Sequence, residues 1–223
     1  MFPIIGAAIL VALLSPAARA DSFDVSLNTS SLSETTQILA FDLNSSGGSS
    51  NTISLAGFGF GGGSASSGTE DCTLGGAFSS AGCSGDLTSG ITLTDATTNE
   101  VFFDQQFTVG SSLSFEMTTT NNFAGGTPDG FTMYLCNVGL SSCYSDDSST
   151  EAMLVLGLAG MPLTPSSFTL NAASAQGLPA PVVTAASGSG GTTMPEPPAV
   201  LLLGVGLLAV AFWSRNRDAA AQR

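Results

Sequence analysis

Apolar and polar residues alternate with a period of two along most of the chain. Phe23, Val25 and Leu27 are separated by Asp24 and Ser26, and Leu39, Phe41 and Leu43 by Ala40 and Asp42. Ile53 and Leu55 continue the pattern, followed by Phe58 and Phe60, then by Ile91 and Leu93 among threonines. Val101–Val109, Leu113-Phe115-Met117, Phe131-Met133-Leu135, Met153–Leu158 and Phe168-Leu170 repeat it. Period two places every second side chain on one face, so each segment reads as a half-buried strand. About nine strands, separated by Gly, Ser, Asn and Asp clusters and without helical periodicity, predict an all-β fold. The expected domain is a jelly-roll-like β-sandwich over residues 21–170.

The connections carry their own signals. Asn44–Ser50 reads as a polar turn and Gly61–Asp71 as a glycine- and serine-rich excursion. Thr127-Pro128-Asp129-Gly130 reads as a turn, with proline pre-set and glycine free for positive φ. The glycine runs are not phosphate cradles, because no Gly-Lys-Ser/Thr follows them and no helix is expected after them.

Three segments break the alternation. Residues 1–20 read as a secretory signal: Ile4–Leu14 is the apolar stretch, Ser15-Pro16 breaks it, and Ala18-Arg19-Ala20 is an A-x-A cleavage site. The mature chain would then begin at Asp21, after passage through a Sec-type translocon and cleavage by signal peptidase. Residues 171–193, rich in Ala, Pro, Ser and Gly, read as a flexible spacer. Residues 194–223 start with Met194-Pro195-Glu196-Pro197-Pro198, where prolines disfavour helix. Ala199 to Trp213, Leu203 and Leu207 included, then runs without a polar side chain, and Arg215 and Arg217 follow. The physical reading is a membrane helix over about residues 198–214, with Trp213 at the interface and the arginines on the cytoplasmic side. Fifteen residues rise only about 22 Å against a hydrocarbon core of ~30 Å. Pro198, Ser214 and snorkelling arginine stems extend the reach.

Charge sharpens this picture. The four cationic residues are Arg19, Arg215, Arg217 and Arg223, and the chain has no lysine and no histidine. Fifteen carboxylates and no cation lie between Asp21 and Thr193. Such a domain repels nucleic acid, whose phosphates need Lys or Arg. The missing histidine excludes Ser-His and Cys-His nucleophile pairs, and the missing lysine excludes a Schiff base. Carboxylate chemistry alone is left for a conventional active site.

Cys72, Cys83, Cys136 and Cys143 are the only cysteines. An even number in an exported domain reads as two disulfides, with three pairings open. Proximity in sequence and flanking turn residues favour Cys72–Cys83 and Cys136–Cys143.

Candidate sites in the domain are few, and no cofactor is expected. Asp146, Asp147 and Glu151 are close enough to share a calcium ion, although solvated loop charge accounts for them and no EF-hand spacing is present. Glu70-Asp71 and Asp146-Asp147 are adjacent carboxylate pairs, but nothing fixes two carboxylates across a cleft as a glycosidase needs. Glu116, between Phe115 and Met117, should face solvent. Tyr144, beside Cys143 in a loop, is the best candidate for contact with a sugar.

Pro195-Glu196-Pro197, the apolar run and the basic tail resemble the PEP-CTERM sorting signal of exopolysaccharide-producing Gram-negative bacteria. In that family a membrane-embedded exosortase recognises the tripeptide and cuts near it, releasing or transferring the exported domain. Two departures stand out: Met194 precedes the tripeptide where valine is usual, and the tail continues through Asp218 to Arg223. A broader resemblance covers most of residues 21–174. Ala40–Leu43, Phe58–Gly63, Gly85-Asp86-Leu87, Ile91–Asp95, Phe107–Phe115 and Gly125–Phe131 are similar to a family of PEP-CTERM exoproteins of about this length, which implies the fold and the sorting but no reaction. The resemblance implies a non-enzymatic surface or matrix protein, held briefly in the inner membrane and then delivered to the outer surface or exopolysaccharide. A carbohydrate-binding module on the same route and a carboxylate hydrolase are the alternatives.

Overall fold

The computed structural model of the protein describes residues 20–46, 50–77, 79–95, 100–123, 125–160 and 162–187. The strands form where the alternation predicts them. β1 (Ala20–Asn28) buries Phe23, Val25 and Leu27 and exposes Asp24, Ser26 and Asn28. β2 (Thr36–Asn44) and β3 (Thr52–Gly59) follow, then the two-residue β4 (Ser64–Ala65) and β5 (Cys83–Asp86). Next come β6 (Gly90–Thr94), β7 (Glu100–Thr108), β8 (Ser112–Thr120) and β9 (Asp129–Asn137). β10 (Leu154–Leu158), β11 (Phe168–Leu170) and β12 (Val182–Ala185) complete the series.

The strands make two antiparallel sheets, ordered β12-β1-β8-β3-β6-β5 and β11-β10-β9-β2-β7-β4. The pairings nest: β1 with β8 and β3 with β6 in the first sheet, β2 with β7 in the second. The inner faces meet in one core, as in a β-sandwich. Phe41 on β2 lies at its centre, fully buried. Its ring stacks on Phe131 of the same sheet at 6.0 Å and meets Phe115 of the opposite sheet edge-on at 5.7 Å. Phe58 and Phe103 stand 6.3 Å away on either side. Each ring removes a large apolar area from water, and the edge-on and offset contacts add to it.

One irregularity is written in the sequence. The apolar spacing lengthens from two to three between Leu55 and Phe58. There β3 shifts register against β8 between Ala56 and Gly59, and Gly57 takes a φ of 65°. A residue inserted into one strand restores Phe58 to the inner face, as a β-bulge does.

Two expectations need correction. The flexible spacer does not start at residue 171. Ala173, Leu178 and Val183 are buried, and β12 pairs with β1 from Phe23↔Ala185 to Ser26↔Val182. Small residues and low charge resemble a linker by composition, but Leu178 and Val183 supply enough apolar surface to dock it. Nor do Asp129 and Gly130 form a turn, for they begin β9 and Gly130 has no positive φ. Gly125 and Gly126, at φ 101° and 96°, take the left-handed conformations instead.

Both favoured disulfides are present. Cys136–Cys143 staples the end of β9 to the segment after it. Cys72 follows Asp71, which exchanges backbone hydrogen bonds of 2.8 Å with Asp104 of β7, whereas Cys83 opens β5 at the edge of the other sheet. The Cys72–Cys83 bridge therefore links the two sheets at one side of the sandwich.

Candidate functional site

The sorting and targeting residues of the sequence lie largely outside the described residues. This applies to Ala18 and to Pro195, Glu196, Pro197, Ala199, Leu203, Leu207, Trp213, Arg215 and Arg217. Ala20 and Asp21, at the expected signal-peptide cut, are the first two residues of β1. Among the described residues no helix is long and apolar enough to cross a membrane.

The described residues place the acidic groups in two distinctive settings. The first is the outer face of β9-β2-β7. Here the alternation fails, because β2 and β7 bury side chains on both faces. Ile38, Ala40, Phe102 and Cys136 form a second small core on this outer face, with Leu74 and Leu140 from the two disulfide-bearing loops packed against it. Asp42 sits in this layer, opposite Phe102 on β7 and Thr132 on β9. Its Oδ1 atom is buried without a hydrogen-bond partner. Burial, helped by the charge of Glu100, raises its pKa to about 7. Glu100 is its diagonal neighbour on β7, about 7–8 Å away by antiparallel sheet geometry. Tyr134 on β9 is shifted upward by burial and then by Asp42. One row further on, Asp104 is 7% exposed and raised to about 6 by burial, then by Asp71. Asp71 itself is lowered by Thr73 and the Gly75 N–H, which donate to it.

The second setting is the end of the sandwich that receives the connections before β3, after β6 and before β9. Asn51, fully buried, organises it. Its backbone N–H donates to Asp95 Oδ1 at 2.6 Å, and its side-chain amide donates to Asp129 Oδ2 at 2.7 Å and to the Asn122 carbonyl at 3.0 Å. Asn51 Oδ1 accepts the Asn122 N–H at 2.7 Å. The Ser46 N–H donates to Asp129 Oδ1 at 2.9 Å. Burial raises the pKa of Asp95 to about 6 against the opposing Asn51 donor, and Asp129 adds to the rise.

The residues singled out from sequence are arranged differently. Asp146 accepts from the Ser174 N–H and hydroxyl, while Asp147 accepts from Ser149 and Thr150. These donors lower both pKa values. Asp147 thus serves a local turn, whereas Asp146 ties its segment to Ser174, 28 residues on. Among the described residues no three acidic side chains gather as a metal group. Glu116 is exposed, as expected. Tyr144 is half-buried against the main core, and its hydroxyl donates to Gln37 at 3.0 Å. It is not a ring standing free for stacking. A shallow depression of about 380 Å³ lies near Ser26, Asn28, Ser112, Pro179 and Val182.

The comparison with known proteins adds no assignment: no family model, no curated protein and no solved structure matches the chain.

Chemically, the outer face offers Asp42, whose burial favours the protonated form, with Glu100 on the next strand. Both stand on one face of a single sheet rather than on opposing walls, so the arrangement lacks the flanking geometry of a glycosidase pair. Sequence reading passed over Asp42, Asp95 and Asp129 because each looks like an ordinary polar strand or turn position. The available signal was the double-sided apolar character of Ile38–Phe41 and Val101–Phe103, which marks a strand covered on both faces. An acid within such a strand is desolvated.

Proposed function

We propose that this chain is an exported, non-catalytic surface or matrix protein, sorted and processed through a PEP-CTERM and exosortase route. The observation that carries the reading from the described residues is the pair of disulfides, which suits folding in an oxidising compartment outside the cytoplasm. The sequence adds three supports: the secretory pattern of residues 1–20, the Pro195-Glu196-Pro197 motif before an apolar run, and the arginines after it. On this reading residues 198–214 tether the protein in the inner membrane until the enzyme cuts near the motif. The nested pairing of β1 with β8, β2 with β7 and β3 with β6 supports a jelly-roll description of the exported part. An acidic shell without cations keeps such a protein soluble and self-repelling beside like copies.

The test is made in cells that carry an exosortase. The wild-type chain should appear in the released or outer-surface fraction. The double variant Pro195→Ala, Glu196→Ala should stay in the inner-membrane fraction at its uncut mass. Equal release of the two would reject motif-directed processing.

A further inference from the structure

We propose that Asn28 carries an N-linked glycan, attached during export, whose first sugars rest over the depression beside β12, β1 and β8. The inference rests on the export reading above, since the donor of such a glycan is a lipid-linked sugar on the far side of the exporting membrane. Two triplets in the chain have the acceptor pattern Asn-x-Ser/Thr: Asn28-Thr29-Ser30 and Asn44-Ser45-Ser46. Such triplets arise by chance where Ser and Thr are abundant, so the fold has to separate them. Thr29 is fully buried, its N–H donating to the Ser111 carbonyl at 3.1 Å and its hydroxyl to the Gly110 carbonyl at 2.9 Å. The middle of the triplet is thereby pinned, with Asn28 and Ser30 exposed on either side. Asn28 Oδ1 accepts the Ser30 N–H at 3.0 Å and the Ser30 hydroxyl at 2.7 Å. Both donors stabilise negative charge on that oxygen, which favours loss of a proton from Nδ2 and makes Nδ2 the nucleophile. Nδ2 has no partner among the described residues. At Asn44 the equivalent groups are used elsewhere. The Ser46 N–H donates to Asp129 and the Ser46 hydroxyl to the Thr127 carbonyl, so neither is turned to Asn44.

The reaction belongs to an oligosaccharyltransferase acting on a sugar linked through pyrophosphate to a lipid. A bond forms between Nδ2 and the anomeric carbon, and the bond from that carbon to the pyrophosphate oxygen breaks. The lipid pyrophosphate leaves with the electron pair, and one Nδ2 proton passes to solvent. The folded chain has room for the product. Asn28 lines the depression of about 380 Å³, with Pro179, Ala180 and Val182 on one side and Ser112 on the other. Val182 is 57% exposed. Apolar side chains beside a few hydroxyls suit a sugar, which has a C–H face and a polar rim. The place is also distinctive. Asn28 closes β1, whereas Ala186 bonds to Ser22 near the start of that strand. Six residues of strand put roughly 20 Å between the glycan and the point from which the tail leaves the sandwich. Asn44, paired with Gly130 and Glu100, lies at that other end, beside the Asn51 and Asp129 connections.

The test recovers the full chain from the exported fraction of the cells that make it. A protease cutting before aspartate gives residues 24–41 with Asn28 and residues 42–70 with Asn44 as separate peptides. Mass spectrometry should find 24–41 heavier than its sequence by whole sugar residues, with 42–70 at its bare mass. Electron-transfer fragmentation should place the sugar on Asn28. Asn28→Gln and Ser30→Ala should each return the peptide to its bare mass, Ser30→Thr should keep the glycan, and Asn44→Gln should change nothing. A bare 24–41 peptide in the wild type would overturn the proposal, and that readout needs no variant to fold. So would a sugar on the hydroxyl of Thr29 or Ser30, or one on Asn44 instead. Ser30→Ala that stays glycosylated would reject the role given to the turn. A chain found in the cytoplasm with residues 1–20 intact would instead count against export. The purified full chain, incubated with membranes of those cells and an undecaprenyl-pyrophosphate-linked oligosaccharide, then decides the site by the same two peptides.

Discussion

Asp42 shows how a single side chain can be misread from its neighbours. In sequence it is the polar member of Leu39-Ala40-Phe41-Asp42-Leu43, a position that would face water on an ordinary half-covered strand. In the fold it faces a layer containing Phe102 and Tyr134, and its pKa rises to about 7. The groups facing it are Glu100 on β7 and Tyr134 on β9, neither of which supplies positive charge. The folded state therefore holds this proton more tightly than the unfolded chain does, so the group's stabilising effect fades as pH rises from about 4 to about 7. Asp42→Asn should leave stability near pH 4 almost unchanged. At pH 8 it should add on the order of 1–3 kcal/mol, read by urea unfolding of the full chain at both pH values. The opposite kind of residue is Phe41, whose inward position was plain from the alternation. Phe41→Ala removes a ring touching four others across both sheets and should cost about 3–5 kcal/mol in the same assay.

At the scale of elements, strands with apolar alternation were legible, down to the three-residue β11, and those without it were not. β1, β7, β8 and β9 carry several apolar residues at period two, enough to outweigh any other local preference. The Leu55-to-Phe58 spacing even encoded the bulge in β3. β4, β5 and β12 carry Ser, Gly, Ala and a few valines, and they pair only because longer strands offer them an edge. That is a tertiary effect, and a window of a few residues does not contain it. The acids at Asp95 and Asp129 escaped notice for the same reason, since they meet only when β6 and β9 are brought to one end. The favoured disulfide pairing was readable because each bridge closes a short loop. Their consequences differ by place. Replacing Cys72 and Cys83 together by serine should lower stability by about 2–3 kcal/mol from loop entropy alone. It should also speed hydrogen exchange in β5 and β6, because the bridge spans the sheets. Replacing Cys136 and Cys143 should cost a similar amount, with faster exchange confined to the end of β9 and the outer layer. Equal exchange patterns in the two variants would contradict the inter-sheet role.

For the molecule as a whole, the sequence has seventeen acidic residues against four arginines, and the fold sets two groups of the described acids apart. Asp42 is raised by burial to about 7, and Asp95 and Asp104 to about 6. Asp71, Asp86 and Asp147 are lowered by donors in tight turns, and Asp146 by the distant Ser174. These three contribute stability that is lost as pH climbs through their folded pKa values. The lowered set contributes stability that is lost as pH falls below the ordinary aspartate range. The two trends meet at the ordinary aspartate pKa, so stability should peak near about pH 4 and decline on both sides. Thermal unfolding of the full chain from pH 3 to pH 9 checks this, and a flat maximum extending to pH 8 would contradict it. Class of fold, core and cysteine pairing could be inferred from the pattern of residues. The placement of these acids could not, because burial on an outer face depends on loops from distant parts of the chain.

The pairing of β12 with β1 has a mechanical side. Ala186 bonds back to Ser22, so the chain enters and leaves the sandwich as neighbouring threads. A pull applied between those threads does not load all the rungs of that ladder together. It meets the outermost rung first and then each next one, like a zip drawn from its open end. The last strand would yield to a force far smaller than shearing the same contacts would require, leaving the nested strands behind it standing.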